Sequence, residues 1–156
     1  MTRVYVDADA CPVKAEAETV ATRHKVPLLL VCNGGLRPST NPLVRVVYVD
    51  QGLDVADTWI VEHVGAGDIV ITSDMPLAAA CVAKGAQVLR HDGTRLTPSN
   101  IGAELATRDL MTELRSADPL QTSGGGRSFS RADRSRFADA LDRALRLAPN
   151  TPGPKT

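Results

Sequence analysis

The sequence predicts a three-layer α/β domain: a mostly parallel five-stranded sheet flanked by helices, with extra helices towards the C-terminal end. Three observations predict it. Between residues 3 and 90, short apolar runs alternate with Ala- and Glu-rich stretches, the order in which parallel strands and crossover helices follow one another. The run at 27–32 is continuously apolar, as in a strand covered on both faces. Hydrophobic residues make up 43% of the chain but aromatics only 3%, so the core is built from Val, Leu, Ile and Ala.

The first strand is read at 3–8, where Val4, Val6 and Ala8 alternate with polar residues and Tyr5. Pro12 then opens a helix, since proline is tolerated in a first turn, and 14–24 continues it without a breaker. The second strand is 27–32. Residues 33–42 (NGGLRPSTNP) are turn chemistry throughout, so the link to the third strand at 43–49 shows no helix pattern. Residues 54–64 read as a helix, 65–68 as a turn and 69–72 as the fourth strand. A helix at 76–84 stops at Gly85, and 86–90 is the fifth strand. Thr97-Pro98 is an N-cap and first-turn pair opening a helix to about 115. Residues 117–128, with Pro119 and Gly124-Gly125-Gly126, are expected to be a flexible loop. An amphipathic helix at 130–147 follows.

Residues 1–148 are therefore expected to form a single domain, followed by a disordered tail at 149–156. No apolar run is long enough to cross a bilayer, and the N-terminus enters a strand with no signal-peptide pattern. Cys11, Cys32 and Cys81 are odd in number and lack metal-binding spacing, which suggests reduced thiols in a cytoplasmic protein. The 18 basic and 18 acidic residues cancel, which argues against a general nucleic-acid binder. No feature sets an oligomeric state.

Ligands of open parallel sheets bind at the carboxyl ends of the strands. Asp7 and Asp9 end strand one, Asp50 follows strand three, Asp74 follows strand four and Asp92 follows strand five. Asp68 precedes its strand and belongs to the opposite edge. Carboxylates gathered at one edge repel each other and favour a shared cation. An all-oxygen set suits Mg²⁺ or Mn²⁺, which need few protein ligands. Asp7 with Asp74 is the leading pair, although Asp74 also sits where a helix N-cap belongs. Asp54 and Asp57 share a helix face and fit a cap with a third-position carboxylate, Asp57 serving both roles. Turn roles suit Asp50 and Asp92 better.

Other residues are weaker candidates. Cys11 lies near a helix start, where a thiol pKa falls, but neighbouring carboxylates oppose that. His24 and His63 lie near helix ends, where they favour the dipole. His91 follows strand five and could act as an acid or base. Arg37, in the long loop after strand two, is the best phosphate contact; Asn33, Thr72 and Ser73 share its edge as substrate candidates. Arg127, Arg131, Arg134 and Arg136 cluster around Phe129, as a phosphate-facing patch or a solvated helix start.

Asp7-Ala8-Asp9-Ala10-Cys11-Pro12, Gly52-Leu53-Asp54-Val55-Ala56-Asp57, Gly67-Asp68-Ile69-Val70-Ile71-Thr72-Ser73-Asp74 and Pro76-Leu77-Ala78-Ala79 together resemble the uncharacterised bacterial YaiI/YqxD family. Arg108-Asp109-Leu110-Met111 and Gln121-Thr122 extend the resemblance, which covers about residues 4–145. It departs at Ser123-Gly124-Gly125-Gly126, where the family runs a more compact Gly-Gly-Pro. The chain also resembles PIN-like nuclease domains at the level of the fold. Asp7, Asp57 and Thr72-Ser73-Asp74 match their strand-one acid, middle-helix acid and strand-four Thr-x-Asp. That resemblance implies Mg²⁺- or Mn²⁺-dependent hydrolysis of a phosphodiester in RNA or another phosphate-bearing substrate. Asp7, Asp57 and Asp74 would be catalytic ligands, assisted by Asp9 or Asp54. A haloacid-dehalogenase-type phosphatase, which also opens with Asp-x-Asp, and a non-catalytic metal- or nucleotide-binding regulator are the alternatives.

Overall fold

The computed structural model describes residues 2–9, 11–52, 55–103, 106 and 129–147. Among the described residues, six strands form one sheet: β1 (Val4–Asp7), β2 (Leu28–Cys32), β3 (Val44–Tyr48), β4 (Ile69–Ile71), β5 (Gln87–Leu89) and β6 (Arg95–Leu96). Their order is β3-β2-β1-β4-β5-β6, parallel throughout except for β6. Among the described residues, the helices with both ends defined are α1 (Lys14–Arg23), α2 (Val55–His63), α3 (Met75–Ala83) and α4 (Arg131–Leu147).

Side chains alternate across the sheet, as the two-residue strand period requires. Val4, Val6, Leu28, Leu30, Ile69 and Ile71 pack beneath α1 and α4. Tyr5, Leu29, Val31, Val70 and Val88 pack on the other face beneath α2 and α3. β2 is buried at all five positions, as its unbroken apolar run predicts. α3 starts at an Asp74 cap and ends before Gly85. Gly85 takes a left-handed φ of 88°, a conformation open to glycine at a helix end.

Two expectations need correction. The sheet has six strands, not five, because β6 folds back antiparallel on β5. A two-residue strand carries no alternation to read. The turn between them is closed by Asp92, whose Oδ1 accepts the Thr94 N–H at 3.0 Å. Pro12 does not open α1: it sits in a turn, and the helix begins at Lys14 after an N-cap, Val13, that has no side-chain cap bond. The β2–β3 link is a loop laid over α1. Asn41 Nδ2 donates to Thr22 Oγ1 at 2.9 Å and to Glu18 Oε2 at 3.3 Å, and Tyr48 donates to the Leu36 carbonyl.

Thr97 opens a helix as read, its carbonyl accepting from Ile101 N–H at 2.9 Å, and helical backbone is described at 101–103. Most of the 97–115 expectation, the 117–128 loop and the 149–156 tail lie outside the described residues. Among the described residues, no helix is long and apolar enough to cross a membrane.

α4 starts with a reciprocal cap. Ser130 Oγ accepts from Asp133 N–H at 3.1 Å, and Asp133 Oδ2 accepts from Ser130 N–H at 2.9 Å. Its buried face is Phe137, Leu141, Ala144 and Leu145, a helical stripe laid along α1 and the sheet. The β5–β6 turn meets α4 closely. A Cβ on Gly93, whose φ is 93°, would stand 2.8 Å from the Arg136 carbonyl oxygen.

A polar clamp joins α4 to α1. Asp142 Oδ1 lies 2.7 Å from His24 Nε2, and Asp142 Oδ2 lies 3.1 Å from Arg146 Nε. The His24 hydrogen bond, with help from Arg146 and Arg23, holds the Asp142 carboxyl below its ordinary value. The folded state therefore binds fewer protons there than the unfolded chain. The stabilisation is fully present above the unfolded carboxylate pKa and is lost as pH falls through the depressed folded value. Melting curves between about pH 6 and pH 2 are expected to show wild type losing its advantage over Asp142→Asn only in that acid window. A constant difference across the range would mean that the ionised clamp does not contribute.

Candidate active site

The strand order reverses between β1 and β4. β1, β2 and β3 step outward one way, and β4 and β5 step the other way. Crossovers therefore leave the carboxyl ends of β1 and β4 on opposite faces, opening a crevice there. Asp7 is the last residue of β1, and Thr72 follows β4 directly. Thr72 is fully buried. Its hydroxyl donates to Asp7 Oδ2 at 3.2 Å and accepts the Asp74 N–H at 3.0 Å. One hydroxyl thus ties the end of β1 to the start of α3. Asp74 caps that helix, Oδ1 accepting the Leu77 N–H at 3.0 Å. The capping bond uses Oδ1, so a cap and a ligand role are compatible on one carboxylate.

Burial pushes the Asp7 carboxyl above its ordinary value; the Thr72 hydrogen bond pulls it down, and Asp74 and Asp9 push it up again. The acids of this edge therefore share an electrostatic field. Asp9 is exposed and accepts the Asn33 N–H, at 3.2 Å for the nearer oxygen. Asn33 Nδ2 donates to the Asp50 carbonyl at 3.0 Å. Asn33 thus staples the ends of β1, β2 and β3 together. Arg37 and Ser73 are exposed at the same edge. Thr72 shares that edge, but its full burial leaves it no surface for a ligand. Asp54 lies outside the described residues.

Asp57 stands in the first turn of α2, across a cleft from Asp74. The cleft is ≈ 430 Å³. Asp57, Thr58, Val61 and Glu62 line it from α2, and Asp74, Pro76, Leu77 and Ala80 from the α3 side. Burial pushes the neighbouring Cys81 thiol up to about 11; Lys84 opposes this and Asp57 adds to it. Asp68 sits at the opposite edge as read, its carboxylate accepting from the Arg3 and Gly65 N–H groups.

The other candidates fall back. Burial raises the Cys11 thiol, so it is not poised as a nucleophile. Burial, then Arg90, lower the His91 ring, which makes it neutral near pH 7 and a poor proton donor. Asp92 is held low despite its burial by hydrogen bonds from Thr94, as a turn residue. Of the arginines, Arg134 donates to the Pro12 carbonyl and lies 5.3 Å over the Phe129 ring, while Arg136 pairs with Asp133. Arg134 thus ties α4 to the turn before α1, while the Arg136–Asp133 pair lies within α4 itself. Arg127 lies outside the described residues. The three cysteines are free and buried.

Lys14 is the residue the sequence reading missed. Its ammonium donates to the Cys11 carbonyl at 3.0 Å and the Ala8 carbonyl at 3.4 Å, bracing the loop that follows Asp7. The available signal was its position: a lysine in a helix's first turn opposes the dipole, which marks a specific contact.

Among the described residues, no three His, Cys, Asp or Glu side chains are already drawn together as a metal-holding group. No solved structure matches the chain. A UPF0178 protein of Ruegeria pomeroyi is 64% identical over 148 residues, covering 95% of this chain and 96% of its own. One from Roseobacter denitrificans is 62% identical, covering 95% and 97%. One from Parvibaculum lavamentivorans is 52% identical, covering 99% and 100%. A family profile described as "Uncharacterized BCR, YaiI/YqxD family" matches residues 5–147. With nearly the whole domain matched, strand β1 through helix α4, the chain belongs to the YaiI/YqxD family.

Proposed function

We propose that this protein is a divalent-metal-dependent phosphodiesterase that hydrolyses nucleic acid, with RNA as the first substrate class to test. The observation that carries the reading is the Thr72 hydroxyl tying Asp7 to Asp74 where the strand order reverses. The raised Asp7 carboxyl supports it, because a cation relieves this kind of crowding. The likeness of Asp7, Asp57 and Thr72-Ser73-Asp74 to PIN-like nucleases points the same way, and the sheet order is compatible with it.

The donor set fits Mg²⁺ or Mn²⁺. Asp7 and Asp74 offer hard oxygens, and Cys11, held as a thiol, is not a competing soft ligand. Such an ion, when bound, neutralises phosphate charge and acidifies a water molecule. The chain's own residues do the positioning. Thr72 fixes the Asp7 rotamer, the α3 cap fixes Asp74, and Asn33 holds Asp9 beside them. Asp57 faces the site from α2, and exposed Arg37 offers a phosphate contact. The zero net charge counts against broad nucleic-acid affinity, so recognition rests on local contacts at the site. The dehalogenase-type alternative gains nothing here. The residue after β2 is Asn33, engaged with Asp9 and Asp50.

The test is turnover on RNA, DNA and aryl phosphates with Mn²⁺, Mg²⁺ or chelator. RNA cleavage is expected only with metal, falling at least ~100-fold in Asp7→Asn or Asp74→Asn, the scale of several kcal/mol of lost transition-state stabilisation. Stability should move the other way. A raised folded pKa means Asp7 loses stability as pH rises through the unfolded and then the folded value. In chelator at neutral pH, Asp7→Asn is expected to melt a few degrees above wild type, the scale of about 1 kcal/mol in a chain this size. Excess Mg²⁺ should close the gap. Hydrolysis of aryl monoesters alone, or a melting temperature that falls equally in chelator and Mg²⁺, would overturn the reading.

A further inference from the structure

We infer that the cleft between α2 and α3 is the seat of an unpaired nucleobase bearing an exocyclic amino group, with guanine the best fit. The inference deepens the phosphodiesterase reading and rests on it for the kind of ligand. The geometry is that of an open cleft between two helices, called the slot below. Thr58, Val61 and Glu62 come from one side of α2, and Pro76, Leu77 and Ala80 from the facing side of α3. At ≈ 430 Å³ the slot falls in the size range of small-ligand sites, about 300–1,000 Å³.

Its chemistry is uneven. Val61, Leu77 and Ala80 offer apolar contact for the faces of a flat ring. The polar groups are carboxylates and one hydroxyl, and no lining residue among those described is cationic. The nearby Lys84 ammonium is engaged by the Val61 carbonyl. Such a slot repels phosphate, so a sugar-phosphate backbone does not lie in it. Ionised carboxylates only accept hydrogen bonds. They therefore select bases by their donors, as Asp and Glu do with cytosine's amino group. Guanine presents two adjacent donors, N1–H and the exocyclic amine, which match the two oxygens of one carboxylate. Asp74 belongs both to the slot and to the crevice with Asp7. A base in the slot therefore carries its phosphate at the slot's Asp74 end, beside the proposed metal ligands. A paired base has these donors engaged, so the arrangement selects single strands.

The test is nucleoside binding by the full chain in chelator, read by ligand-observed NMR titration, so that neither metal nor turnover is needed. Guanosine is expected to bind about fivefold tighter than inosine, which lacks only the amino group, the ratio one net hydrogen bond supports. Cytidine should likewise exceed uridine. Ala80→Leu, which narrows the slot, should weaken guanosine and inosine alike, and exposed Glu62→Gln should bring their ratio towards one. Equal binding of guanosine and inosine, or binding indifferent to Ala80→Leu, would overturn the inference. So would an aliphatic polyamine such as spermidine displacing guanosine and binding more tightly, which would make the slot an organic-cation site. The two readings fail separately. Metal-dependent RNA cleavage without amino-selective nucleoside binding sinks this inference alone, and selective binding without cleavage sinks the hydrolytic one.

Discussion

Replacing Phe137 with alanine is expected to destabilise the protein by about 3–5 kcal/mol, the range for a large aromatic lost from a packed core. Phe137 is fully buried on α4. It belongs to the cluster in which α4, α1 and one face of the sheet meet. The neighbourhood is closed by backbone contact at Gly93, so it has little room to collapse around the lost ring. Urea unfolding should show the midpoint falling with the slope unchanged. Leu147→Ala on the same helix is the control, since Leu147 is 68% exposed, and should shift stability by less than ~0.5 kcal/mol. Similar small losses for both would mean that α4 is not a fixed part of the core.

Thr72→Val is expected to lower stability by roughly 1–3 kcal/mol, the usual loss when a buried polar group is left without its partner. The side chains are nearly the same shape, so packing changes little. Two contacts disappear together: the donor to Asp7 and the acceptor for the Asp74 N–H. The Asp7 carboxyl also loses the one interaction that pulls it down, so its pKa should rise further, which NMR titration of that carboxyl would register. Under the proposed function, metal-dependent cleavage should fall as well. Thr72→Ser keeps the hydroxyl and should restore both the titration and the activity. Failure of serine to rescue would assign the loss to packing.

Much of this was legible from local pattern. The continuous apolar run of β2, the Ala-rich stretch of α3 ended by Gly85, and the stripe of Phe137, Leu141 and Leu145 each state their period and partner face. Sorting acids by strand end placed Asp7 and Asp74 together and sent Asp68 to the other edge, because a parallel sheet fixes which end of each strand is which. What escaped was set by long-range contact. β6 exists only because a turn at Asp92 brings two residues back to β5. Thr72 and Asn33 looked like surface residues, because nothing local shows that one hydroxyl would be enclosed between two strands or one amide set between two strand ends. The α2–α3 cleft was missed for the same reason: Glu62 and Ala80 are ordinary helical residues until the helices pack together.

The Asp7–Thr72 hydrogen bond spans 65 positions of the chain, and β1 meets β4 only when that whole interval has been laid down. During synthesis, the first half leaves the ribosome with β1, β2 and β3 able to pair, but with one flank of β1 bare. At that stage Asp7 and Asp9 stand on an incomplete platform, and the pairing that completes it closes a loop of high contact order, the slowest kind of step for a small domain. The acidic crevice therefore appears late and all at once, with the last central strand. A nascent or partly unfolded chain lacks the Asp7–Thr72–Asp74 arrangement, so that arrangement reports that β4 has joined the sheet.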